Sequence, residues 1–223
     1  KTFEILTLGT TYYYNLAYHG LSNREILMRL AQLLRTINPE LTMTASHIRR
    51  VGDGQPHQRC ILKVGSSMLN TMKMEYVDRV VAPPDPISHR IKILFVSHKL
   101  TAYTSVFRDR IGIINQLSRR FFDVYLAFFG DETVIKTQLS QDPIVKYYLD
   151  PYLKNDRVLY LTKTNTVTNQ QTVTGYKFDI LFYPDLGRTQ AQTLLAHARL
   201  APIQITTWGH SDTSGNPAID YYI

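Results

Sequence analysis

The sequence predicts an α/β fold: a parallel sheet with helices on both faces, preceded by a small, mainly helical segment. Two observations carry this. From Ile91 onward, short β-branched and aromatic runs alternate with amphipathic stretches of helical length, the pattern of βαβ units. The runs themselves are apolar almost throughout, as strands covered on both faces must be. Together they describe a Rossmann-like layer.

The elements follow in order. Residues 1–90 form a leading helical and irregular segment with a Pro-rich linker, and 91–223 form the Rossmann-like domain. In the leading segment Ser22-Asn23-Arg24-Glu25 reads as a capping box. Ile26, Leu27, Leu30, Leu33, Leu34 and Ile37 then recur at helical spacing, and Asn38-Pro39 ends the helix. Ala82-Pro83-Pro84-Asp85-Pro86 is stiff, because proline fixes its own φ and restricts its neighbour, and it marks the boundary. Strands are expected at 91–98, 122–129, 157–161, 179–183, 202–208 and 220–223. Helices are expected at 105–120, with Phe107, Ile111, Ile114 and Leu117 on one face; at 133–149, with Pro143 as a breaking point; and at 189–199. The polar stretch 164–174 reads as a poor helix, or a loop with one helical turn. Sheets of this kind bind ligands beyond the carboxyl ends of their strands, which singles out the loops 98–104, 130–133, 184–188 and 209–215.

Composition narrows the function. The chain has 223 residues, 44% hydrophobic and 19% charged, enough for a sizeable core. The net charge of +7 favours acidic partners, but it is scattered. Its densest run, His47 to Lys63 with Arg49, Arg50 and Arg59, lacks the like-charge blocks of a nucleic-acid surface. One cysteine, Cys60, allows no intrachain disulfide and suits a reducing, cytoplasmic setting. No apolar stretch nears the ~20 residues of a membrane span, so no membrane partner is expected. The chain begins at Lys1, not Met, and reads as a segment of a longer protein, so a missing signal peptide carries no weight. No G-x-G-x-x-G, P-loop, G-x-S-x-G, C-x-x-C or H-E-x-x-H pattern is present, and no metal site is expected.

The most informative string runs from Arg199 through Leu200-Ala201-Pro202-Ile203-Gln204, Thr207-Trp208-Gly209-His210 and Thr213-Ser214-Gly215 to Ile219-Asp220-Tyr221. A buried strand runs into a hydroxyl-rich loop whose two glycines let backbone approach a ligand closely. A capped turn between strands would use the same residue types. The string resembles the A-P-(I/V)-Q … W-x-G-(Y/H)-P-x-(T/S)-(T/S)-G … (I/M)-D-Y signature of O-GlcNAc transferase-like glycosyltransferases, a family that includes SPINDLY-type fucosyltransferases and bacterial protein N-glycosyltransferases. Phe178 to Gly187, Ile93 to Ser97 and Leu16 to Leu21 resemble further stretches of that family.

The resemblance implies the N-terminal half of a GT-B fold, with the donor-binding domain following in cis. It implies a nucleotide-sugar donor, a UDP-sugar carrying GlcNAc, a protein acceptor, inverting and metal-independent transfer, and no cofactor. It assigns Trp208 and Gly209 to the donor sugar, with His210, Thr213 and Ser214 continuing the loop, and Asp220 to a structural tie. His19 matches a histidine lining the acceptor side. In the loop after the first strand, Tyr103 takes a place where the family has His, Lys99 replaces an acidic residue and could meet donor phosphate, and Thr104 completes the segment. A tyrosine near its usual pKa of roughly 10 is a poor base at neutral pH, and His98 is a substitute at a shifted spacing. The alternative is a non-catalytic, Rossmann-like module that binds protein or peptide. Nucleic-acid binding is disfavoured by the scattered charge.

Overall fold

The computed structural model describes residues 24–48, 90–209 and 214–223. The stretch Leu16–Leu21, Ser22 and Asn23, His19, the basic run beyond Ile48, the proline linker, His210 and Thr213 lie outside the described residues.

Helix α1 (Arg24–Ile37) ends in a 3-10 turn (Pro39–Thr42). The sheet then builds as β1 (Ile91–Val96), α2 (Ser105–Gln116), β2 (Phe122–Phe129), α3 (Glu132–Gln141), α4 (Pro143–Lys154), β3 (Val158–Leu161), α5 (Thr166–Tyr176), β4 (Ile180–Tyr183), α6 (Gln190–Ala196), β5 (Ile203–Thr206) and β6 (Tyr221–Tyr222). All six strands are parallel, in the order β3-β2-β1-β4-β5-β6. The direction of winding therefore reverses between β1 and β4, where Leu94 pairs with Leu181.

The sheet is Rossmann-like, with helices on both faces as its apolar strands require. Successive side chains of β1 point to opposite sides. Ile93 and Phe95 join Phe107, Ile111 and Ile114 of α2, Leu139 of α3 and Leu149 of α4. Leu94 and Val96 join Val173 of α5 and Leu195 of α6. Each of these large side chains, once buried, contributes roughly 1.5–3 kcal/mol. Between the helices, Asp142 accepts from the N–H groups of Ile144 and Val145, and Pro143 sits where an N–H would have no partner; the expected break is a clean restart.

Two local expectations changed. Residues 166–176 form a full helix, α5, where a loop or a single turn was the reading. Two of its three buried side chains, Asn169 and Gln170, are polar, so hydrophobic periodicity could not reveal it. Asn169 exchanges two hydrogen bonds with the backbone of Thr162 (2.8 and 2.7 Å), and Gln170 donates to the Leu41 carbonyl at 3.1 Å. In α1, Leu27, Ala31 and Leu34 are buried, whereas Ile26, Leu33 and Ile37 of the apolar stripe are exposed. Leu34 and Leu41 pack on Leu194 of α6, and Ala45 N donates to the Arg199 carbonyl at 2.8 Å, fixing residues 24–48 against the α6 edge.

Candidate functional site

The carboxyl ends of β1, β4 and β5 lie side by side, and each delivers a loop to the same rim. The loop after β1 is internally satisfied. Ser97 Oγ accepts from Lys99 N (3.0 Å), and Thr104 Oγ1 donates to the Lys99 carbonyl (2.9 Å). The same hydroxyl caps α2 by accepting from Phe107 N (3.2 Å), so both roles of Thr104 are taken up inside the fold. The Lys99 ammonium forms no ion pair among the described residues. His98 is held below the usual histidine range by burial first, then by the charges of Lys99 and Lys163, so its imidazole is neutral. Tyr103 turns toward the helices: its ring lies 5.9 Å from that of Phe107 and lines an open groove of about 620 Å³ shared with Pro143, Ile144, Tyr147 and Tyr148 of α4.

The loop after β4 is tied to β1 through α6. Gln192 Nε2 donates both to the Val96 carbonyl and to Asp185 Oδ1, each at 2.9 Å. Asp185 is fully buried, and its Oδ2 and Gln192 Oε1 have no partner among the described residues. Burial pushes the Asp185 carboxyl up, against hydrogen bonds from Gln192 and Ser97 and the charges of Arg188 and Lys99.

The loop after β5 is clamped to the loop after β4. A Cβ on Gly209 would stand 2.0 Å from the Pro184 carbonyl oxygen, so only glycine fits. Arg188 Nε donates to the Gly209 carbonyl at 2.8 Å. This clamp lifts Trp208 onto the rim with 55% of its surface exposed. Beneath it Arg110 of α2, only 7% exposed, holds its guanidinium carbon 4.5 Å from the indole centroid and donates to Thr207 Oγ1 at 2.6 Å. Farther along, Ser214 Oγ accepts from Asn216 N (3.3 Å), and Gly215 has φ +56°. A Cβ on Gly215 would meet Leu27 Cβ at 2.4 Å, so the far end of the loop rests on the first turn of α1.

Trp208, Gly209 and Ser214 thus share the segment after β5, and Lys99 and Thr104 share the loop after β1. Asp220 ties the strand edge: it takes both N–H arms of Arg199 (2.5 and 3.0 Å) and Gln204 N (2.8 Å). Arg110, Asp185, Arg188 and Gln192 were not singled out from sequence. Arg110 had a signal, a charged residue on the inward stripe of Phe107, Ile111 and Ile114. Asp185 had a weaker one, a lone acid directly after an apolar strand.

No protein-family model and no curated protein matches the chain. Among solved structures, an O-GlcNAc transferase mutant of Thermobaculum terrenum matches with a TM-score of 0.55 and 18% identity, over 96% of this chain and 32% of that one. At that identity the likeness is one of fold. No helix among the described residues is long and apolar enough to cross a membrane. The chain is therefore a Rossmann-like α/β unit with a leading helix, similar in fold to about a third of an O-GlcNAc transferase chain.

Proposed function

We propose that this chain is the N-terminal half of the catalytic region of a glycosyltransferase that moves a sugar, GlcNAc in the first instance, from a UDP donor to a protein Ser or Thr hydroxyl. One observation carries the reading: the glycine-clamped loop after β5 presents an exposed indole at the carboxyl rim of the sheet, in a fold similar to that of an O-GlcNAc transferase. The acceptor oxygen attacks the anomeric carbon in line, the bond to the diphosphate breaks, and the acceptor proton passes to a base. Trp208 and Gly209 face the sugar, His210, Thr213 and Ser214 extend that wall, and Lys99 lies toward the phosphates. His19 and Tyr103 belong to the acceptor side. His98, neutral on the loop after β1, is the better proton acceptor of the two groups there, since a neutral imidazole offers a free nitrogen lone pair for the proton.

The leaving diphosphate needs further donors from a following domain, so the 223 residues alone should show no turnover. The test is a transfer assay on the full-length gene product with several nucleotide sugars and peptide acceptors. Trp208→Ala should lower transfer at least tenfold. Wild-type levels of transfer in that variant, or turnover by the 223 residues alone, would count against the assignment. The aromatic groove around Tyr103 and Tyr147 supports the second reading, a peptide-binding module; peptide binding without transfer by the full-length product would favour it.

A further inference from the structure

Arg110 is a buried charged group on the rim with few partners among the described residues. A guanidinium offers five N–H donors, all in one plane. Among the described residues Arg110 finds one neutral acceptor, the Thr207 hydroxyl, and the face of Trp208. Its Nε is sealed from water and has no partner among the described residues. Asp109, its neighbour on α2, is exposed and makes no ion pair with it. A buried cation without a counter-charge destabilises a fold by several kcal/mol. Burial lowers the Arg110 pKa, but a guanidinium keeps its proton at neutral pH even so. Arg199 shows the ordinary solution, a two-armed pair with Asp220. Arg110 instead keeps its planar fork beneath an exposed indole at the ligand end of the sheet.

We propose that Arg110 is an oxyanion-binding residue whose counter-charge arrives with the donor, under Trp208. The oxyanion is either the diphosphate of the nucleotide sugar or the carboxylate of an acidic sugar. Both present paired oxygens that match the guanidinium fork. The identity of the ligand as a nucleotide sugar rests on the transferase reading above; the anion site does not.

Trp208 is the only tryptophan in the chain, so its fluorescence reports on this site alone. The whole 223-residue chain is titrated with inorganic pyrophosphate, UDP, UDP-glucose and UDP-glucuronate, with calorimetry alongside. If the diphosphate is the anion, all four perturb Trp208, and Arg110→Met weakens each at least tenfold. If a sugar carboxylate is the anion, UDP-glucuronate binds at least tenfold tighter than UDP-glucose, and Arg110→Met abolishes only that preference. Arg120→Met, the same charge change at the opposite end of the sheet, leaves every affinity unchanged. Equal binding by the wild type and a folded Arg110→Met, or no perturbation by any of the four, overturns the proposal. So does anion binding that appears only after Asp212→Asn, since the loop's own carboxylate would then fill the place. Should Arg110→Met not fold, the Arg110 Nε–H resonance of the wild-type chain serves: it must shift with saturating pyrophosphate or with saturating UDP-glucuronate, and a resonance fixed with both overturns the assignment. Transfer by a full-length Arg110→Met protein with unchanged KM removes this inference and leaves the transferase. Anion binding without transfer does the reverse.

Discussion

The two ends of β5 and β6 are built on opposite principles. At the amino end the side chains of Arg199, Gln204 and Asp220 are matched to one another or to the backbone. Arg199 and Asp220 pair, Asp220 also takes Gln204 N, and the buried Gln204 side chain bonds Leu200 N (2.8 Å) and the carbonyls of Ala198 (3.1 Å) and Ala218 (2.9 Å). At the carboxyl end Arg110 has one neutral hydrogen-bond partner among the described residues, and Trp208 stands in the open. Both ends contain an arginine against the same strand edge. The contrast teaches that the closed network holds the edge together, while the open one keeps hydrogen-bonding capacity for something outside the chain.

The largest effect should come from cutting the closed network. Gln204→Leu leaves one N–H and two carbonyls buried and unmatched, at roughly 1–3 kcal/mol each, and should lower stability by about 4 kcal/mol in urea denaturation. A loss under about 1 kcal/mol would mean that the network is not what secures the edge.

Next is acid. His197, buried at the end of α6, is pushed down to about 4 by burial, with Arg35 adding to the effect and Asn216 opposing it. Its unfolded value is 6.5, so the unfolded chain binds more protons between those limits, and stability falls as pH drops through that window. The full loss is on the order of 3 kcal/mol, and His197→Leu should flatten that part of the pH–stability curve.

The two arginines give the sharpest comparison. Arg199→Met strands Asp220 and should cost about 2 kcal/mol. Arg110→Met removes a charge that has no ion-pair partner among the described residues and should be neutral or stabilising by about 1 kcal/mol. If both lose equally, the asymmetry between the ends is not real. The smallest effect is expected at Asp185. Its folded pKa is raised, so its contribution is present below the unfolded value of 3.8 and lost as pH rises through the folded value. Asp185→Asn keeps a neutral group and supplies a donor beside Gln192 Oε1, so it should gain about 1 kcal/mol at neutral pH.

Much of the fold was readable because its signals are local. The apolar runs at Ile91–Val96 and Phe122–Phe129 and the restart at Pro143 need only the residues nearby. Helix α5 was obscured because Asn169 and Gln170 are buried for hydrogen bonds to Thr162 and Leu41, partners that periodicity does not register. At the site, Trp208 and Gly209 could be named from their motif. The reason Gly209 must be glycine could not, since the obstructing atom belongs to Pro184, on another strand's loop. Arg110 was visible as a charge on an apolar stripe, but its placement beneath Trp208 depends on how α2 crosses the sheet.

By itself the sequence determined which segments are strands and helices, because the alternation of apolar and polar residues states which faces must leave water. It also determined that the segment after β5 is a glycine-spaced loop with one indole. Only the tertiary structure decided the strand order, the reversal between β1 and β4, and which of two arginines would be neutralised. Those outcomes rest on contacts between residues distant in the chain, where the sign and reach of a partner matter and periodicity is silent.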